Sequence, residues 1–208
     1  MYVQRIVNSF FTSNTYILSE NNASDVYWLI DIGDIEPILD YIPKTGTIKG
    51  VFLTHTHYDH LYGINKLIKF FPNSVVFTSK FGEKGLFSDK LNFSKYHNDS
   101  IIFEGSNIQI LQTGDEVELF LDKKLKILET PGHDWSCLTY YTENEIFTGD
   151  SFIPRLKTVT SFPRSNKKDA ELSSQKILKI ADGLDLYPGH GIVFQNFHNE
   201  ANNIKINE

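Results

Sequence analysis

What most restricts the folds open to this chain is the cluster His55-Thr56-His57-Tyr58-Asp59-His60, set just after the apolar run Gly50-Val51-Phe52-Leu53. With the His and Asp content of this sequence, a chance His-x-His-x-Asp-His is expected about five times in ten thousand, so the motif reads as a deliberate ligand cluster. The run before it must sit in a core as a strand and release the chain at one rim, where several ligands reach one point. Imidazole and carboxylate at this density suit zinc, iron, manganese or nickel, whereas a calcium or magnesium site would be built almost wholly from oxygen.

Three later loops repeat the arrangement of apolar run, turn and ligand. Ile127–His133 ends in Pro131-Gly132-His133, Glu145–Asp150 ends in Thr148-Gly149-Asp150, and Leu186–His190 ends in Pro188-Gly189-His190. In each, Gly permits a sharp turn and a close backbone approach to an ion.

Further strands are expected at Tyr2–Val7, Thr15–Ser19, Val26–Asp31, Gly50–Thr54, Ser74–Thr78, Lys126–Thr130, Leu138–Thr142, Glu145–Thr148 and Asp185–Tyr187. Helices are expected at Glu36–Tyr41, Tyr62–Phe71 and Asp169–Ala181. Strands dominate the first fifty residues and mix with helices afterwards, which predicts sheets covered by helices. At 208 residues the chain suits one domain, 1–208, with a two-layer core. Arg155–Lys168 reads as a long loop of the kind that carries function.

The net charge of −6 opposes a phosphate backbone, so nucleic acid is not expected as a partner. The single cysteine, Cys137, has no internal disulfide partner, the first residues lack the apolar stretch of a secretory signal, and no apolar run reaches the roughly 20 residues of a membrane span. A cytoplasmic location is the expectation, with no membrane partner.

Together the four ligand segments, and the strand end Asp31-Ile32-Gly33, resemble the metallo-β-lactamase superfamily across residues 31–191. That resemblance implies an α/β (α+β) fold, a four-layer αββα sandwich with metals at one edge. It implies that His55, His57 and His133 bind one metal, that Asp59, His60 and His190 bind a second, and that Asp150 bridges them. Two divalent ions are expected, zinc first, with iron or manganese as substitutes. Such sites hold a hydroxide between the ions, and zinc brings the pKa of bound water to about 7. Asp59 is the expected catalytic group, accepting a proton or orienting the water.

Within the superfamily the complete ligand set is most similar to the glyoxalase II branch, which implies hydrolysis of a thioester, or a related ester or lactone, in a small-molecule substrate. Two departures are Pro131-Gly132-His133-Asp134-Trp135-Ser136, where the family often has Pro-Gly-His-Thr-Pro-Gly, and the short stretch after His190, where classical members continue into a helical domain. Alternatives on the same fold are a mononuclear-iron persulfide dioxygenase using His55, His133 and Asp150, and a phosphodiesterase or nuclease. A flavodiiron role is disfavoured because His57 stands where those proteins have Glu.

Cys137 reads as a small buried residue, since Asp150 occupies the position where some β-lactamases place a cysteine ligand. His97 and His198 read as surface residues. Asp134 reads either as an outer contact of the site or as exposed. Arg155, Lys157, Arg164, Lys167 and Lys168 read first as a solvated face and second as holders of an anionic substrate. Substrate choice is assigned to the loops Thr12–Asn14, Phe81–Asp99 and Phe152–Lys168.

Overall fold

The computed structural model describes residues 1–198; residues 199–208 of the expected domain lie outside the described residues. Eleven strands are divided between two sheets among the described residues. The first sheet holds β1 (Tyr2–Val7), β2 (Asn14–Ser19), β3 (Val26–Ile30), β4 (Thr47–Phe52), β5 (Val75–Thr78) and β6 (Ile108–Ile110) side by side in chain order. Its first three strands are antiparallel, and β3 through β6 run parallel. The second sheet comprises β7 (Glu116–Phe120), β8 (Lys123–Glu129), β9 (Leu138–Tyr141), β10 (Glu145–Gly149) and β11 (Asp185–Pro188). There β7 to β10 form an antiparallel meander, and β11 joins β10 in parallel.

Side-chain alternation along the strands produces the layers. On β2 and β4, Tyr16, Leu18 and Phe52 point between the sheets, where they meet Leu125, Ile127, Tyr140 and Phe147 of the second sheet. Ile17, Ile48 and Val51 point the other way, toward Ile38 of α1 (Glu36–Tyr41) and Ile64 and Leu67 of α2 (Ile64–Phe70). Beneath the second sheet, Ile146 and Leu186 meet Ile177 and Ala181 of α4 (Lys167–Ala181). Helices thus cover both outer faces of a sheet pair, and the expected αββα sandwich is observed.

Several local expectations need correction. α3 (Lys80–Leu86) lies in a segment read as loop, because Gly82 and Gly85 lower its helix propensity. Both glycines are buried, with Thr78 and Thr56 where a Cβ would stand, and the Ser79 side chain caps the helix by accepting from the Gly82 amide at 3.1 Å. The unexpected strands β6 and β7 are a three-residue run and a charge-rich one. α4 starts earlier than expected, capped by Asn166, so Lys167 and Lys168 belong to the helix rather than the preceding loop. No helix among the described residues is long and apolar enough to cross a membrane.

Candidate metal centre

All four ligand segments leave the sheets at one rim. Thr54–Leu61 follows β4 and contains a short 3-10 turn, Tyr58–His60; His133 follows β8, Asp150 follows β10 directly, and His190 lies two residues beyond β11. The two sheets are tied at this rim: the Leu138 amide donates to the Thr54 carbonyl at 2.7 Å, the Tyr140 hydroxyl to Leu53 at 2.7 Å, and the Tyr16 hydroxyl to Pro188 at 2.6 Å. Two glycines permit the close approach. Gly149 turns at φ +50, a conformation costly for other residues, and at Gly189 a Cβ would collide with the Asp150 carboxylate.

Here the seven residues expected as ligands converge. His55, His57 and His133 form one group whose candidate atoms all lie within 4.8 Å of one another, and Asp59, His60 and His190 form another. Asp150 stands between them, with Oδ1 3.6 Å from His60 Nε2, and Oδ2 3.6 Å from His133 Nε2 and 3.5 Å from His190 Nε2.

Four of the five imidazoles are hydrogen-bonded at the far nitrogen. His133 Nδ1 donates to the Val159 carbonyl at 2.9 Å and His190 Nδ1 to the Phe11 carbonyl at 3.1 Å. His60 Nδ1 donates to Asp31 Oδ2 at 2.9 Å. The Thr54 hydroxyl spends its proton on the same carboxylate at 2.7 Å, so it accepts from His55 Nδ1 at 3.1 Å. His57 is reversed, its Nε2 3.4 Å from Asp134 Oδ2. Because carbonyls and carboxylates only accept, these hydrogen bonds assign the proton to the outer nitrogen of His55, His60, His133 and His190 and leave the inner one bare where the ring is neutral.

The inner nitrogens crowd one another. His57 Nδ1 and His133 Nε2 are 3.0 Å apart, and His60 Nε2 and His190 Nε2 are 3.3 Å apart. His55 Nε2 and Asp150 Oδ1 are buried without any hydrogen-bond partner. Lone pairs aimed together in a buried site repel unless a positive centre lies between them, so the donor set fits a cation.

The local field favours positive charge. Burial works against protonating His60 and His190, yet the carboxylates of Asp59 and Asp150, joined at His60 by Asp31, raise them to about 9 and about 10. For Asp150, burial works toward protonation, but His60, His190, His55 and His133 hold it well below the usual carboxylate range. His55 and His133 lie below the ordinary imidazole value through burial first, with His60 and His57 adding to it.

Residues outside the ligand set resolve differently from their expectations. Asp134 is fully buried, with His57 on one side and Arg164 Nη2 at 2.8 Å on the other, so it is an outer contact and not exposed. Arg164 is committed to this pair rather than solvated. His97 is not a plain surface residue: it is half-buried and stacks on Tyr58 with ring centroids 4.9 Å apart. Cys137 is buried just before β9, as expected. Sequence reasoning assigned no role to Asp31, which sits at φ +58 where β3 ends and also accepts from the Thr54 amide at 2.7 Å. An acidic residue closing the apolar run Tyr27-Trp28-Leu29-Ile30 was the available signal.

The sequence profile described as Metallo-beta-lactamase superfamily matches residues 44–190. A hydroxyacylglutathione hydrolase of Pseudoalteromonas translucida is 29% identical over 153 residues, which is 72% of this chain and 50% of that protein. Hydroxyacylglutathione hydrolase 1 of Vibrio vulnificus is 31% identical over 169 residues, 81% of this chain and 59% of that protein. The chain thus spans about half the length of these curated relatives. Among solved structures, the B3 metallo-beta-lactamase BLEG-1 superposes with a TM-score of 0.85 at 20% identity, covering 100% of both chains.

Proposed function

The chain belongs to the metallo-beta-lactamase superfamily, and from that premise we propose that it is a metal-dependent hydrolase of a small-molecule thioester, or a related ester or lactone. The observation that carries this reading is the pair of three-residue groups joined by Asp150, with four of the five imidazoles hydrogen-bonded from behind. His55, His57 and His133 would hold one divalent cation, zinc first among the metals that these donors suit, and Asp59, His60 and His190 a second, with Asp150 shared. Bound there, the cations would supply Lewis acidity for a carbonyl and acidify a water into the neutral range.

The chain itself positions and moves the proton. Burial works toward protonating Asp59, but His60 and His190 keep its pKa below the ordinary value, so at neutral pH the ionised carboxylate can orient the attacking water by accepting a hydrogen bond from it, and can relay the water's proton as the reaction proceeds. Addition of the water oxygen to the carbonyl carbon gives a tetrahedral adduct, and its collapse, which restores the C=O bond, breaks the carbon–sulfur bond. The acyl group leaves as the carboxylic acid, and the sulfur leaves as thiolate and takes up the proton.

The likeness to proteins named hydroxyacylglutathione hydrolase supports testing thioesters first among candidate substrates. Metal quantification on protein purified without added metal, followed by thioester, lactone and phosphodiester assays, tests the reading. About two zinc per chain with thioester turnover is the expected result. One iron per chain with oxygen consumption would overturn it in favour of persulfide oxidation.

A further inference from the structure

Above the seven converging residues opens a cleft of about 540 Å3, within the range of small-molecule sites. Its walls are mostly rings: Phe11, Tyr58, Phe93, Tyr96, His97 and Phe162 line it together with five of the seven candidate ligands, all but the buried His55 and His60. The Phe93 ring lies 4.8 Å from that of His57 and 5.4 Å from that of Phe162, and Phe162 lies 5.6 Å from His133. On the facing wall, Phe11 lies 5.4 Å from His97, which stacks on Tyr58.

Two of these rings are presented by unusual backbone. Phe11 stands at φ +52 and Phe93 at φ +67, in the left-handed region that residues with a bulky side chain avoid. Such conformations persist where the surroundings enforce them, and they concentrate at ligand sites. The Phe11 carbonyl holds His190, so the same residue sets a candidate ligand and a cleft wall.

Lys and Arg are missing from the described walls, whose charged groups are the candidate ligands Asp59, Asp150 and His190 at the floor. Arg164, whose guanidinium lies 5.5 Å from the centroid of the Phe93 ring in the cleft wall, is bound to Asp134. Glutathione carries two carboxylates and an ammonium group. Laying an unpaired carboxylate against aromatic faces would cost its hydration and meet the negative face of each ring.

We propose that the cleft takes an uncharged, aromatic or similarly bulky apolar acyl group, so that the substrate class is arylalkyl or long-chain acyl thioesters and esters rather than glutathione conjugates. The proposal rests on the hydrolase reading above for the reaction, and on the cleft alone for the selectivity.

The test uses the metal-loaded full chain and compares kcat/KM for the phenylacetyl and acetyl thioesters of N-acetylcysteamine and for S-lactoylglutathione. Phenylacetyl is expected to exceed both by about tenfold or more, and Phe162→Ala to lower the phenylacetyl-to-acetyl ratio by about tenfold, with Phe162→Leu retaining most of it. A preference for S-lactoylglutathione, or a ratio unmoved by Phe162→Ala, would overturn the proposal.

Binding of the uncharged probe N-phenyl-1-naphthylamine, followed by fluorescence, reads the cleft without turnover. One site per chain, weakened by Phe162→Ala and Phe93→Ala, is expected; no binding, or binding indifferent to both, counts against the proposal. Probe binding with these sensitivities but no cleavage of any thioester would sink the hydrolase reading and leave the cleft assignment standing. Cleavage of all three without acyl preference would do the reverse.

Discussion

His60 Nδ1 lies 2.9 Å from Asp31 Oδ2, both side chains are buried, and the same carboxylate takes the Thr54 hydroxyl proton at 2.7 Å. One acidic group at the end of β3 therefore orients ligands on both sides of the site, His60 directly and His55 through Thr54. Burial raises the Asp31 carboxyl, and the charge of His60, its hydrogen bond and the Thr54 contacts offset part of that rise.

Asp31→Asn should keep the backbone turn, since Asn tolerates φ +58, and should weaken the grip on His60. Metal affinity is expected to fall about 10- to 100-fold, with an unchanged circular dichroism spectrum. Competition against a calibrated chelator measures it, and wild-type affinity would contradict the orienting role.

Asp150→Ala removes the one carboxylate facing both groups of ligands. Occupancy of both sites should drop and turnover fall by about 100-fold or more, in a chain that stays folded. Elemental analysis after dialysis decides the point. Two retained equivalents with full activity would refute a shared ligand.

Asp134 supplies a pH dependence with a definite sign. Burial raises its carboxyl, but His57, Ser136 and Arg164 hold it well below the usual value. An unfolded Asp takes up a proton near pH 3.9, about the ordinary value, whereas the folded group does so only at lower pH. Its contribution to stability is thus present above about pH 5 and is lost as pH falls from there through the folded value. Urea midpoints of the chelator-treated wild type and of Asp134→Asn should converge between about pH 5 and pH 3. A constant gap over that range would show that the charge is not what stabilises.

Tyr140→Phe tests the tie between the sheets. The Tyr140 hydroxyl donates to the Leu53 carbonyl at 2.7 Å, and the side chain is fully buried. Deleting the hydroxyl leaves that carbonyl without its donor and should destabilise the fold by about 1–3 kcal/mol in urea unfolding. A change below a few tenths would mean that water replaces it.

Much of the site could be read from residue order because its ligands sit where apolar runs stop. Strand ends such as Phe52 and Gly149 are followed by a change of composition, and the residues just beyond them are delivered to the rim. What surrounds the ligands was less legible. Arg164 meets Asp134 across 30 residues and His133 meets the Val159 carbonyl across 26, and no local pattern records either pairing. His97 looked like a surface residue among polar neighbours, yet it stacks on a tyrosine 39 positions earlier. α3 escaped notice for a related reason: its glycines are poor helix formers, tolerated because Thr56 and Thr78 come too close for any larger residue.

The rim draws its donors from both halves of the sandwich. His55, His57, Asp59 and His60 hang from the first sheet, while His133, Asp150 and His190 hang from the second. An ion seated there would act as a rivet, since sliding one half past the other by a fraction of an ångström would lengthen bonds to it. Chelation should accordingly loosen strand β11 and the Asn14 to Pro188 and Gly189 contacts before it disturbs the outer helices, giving hydrogen exchange that spreads from the rim.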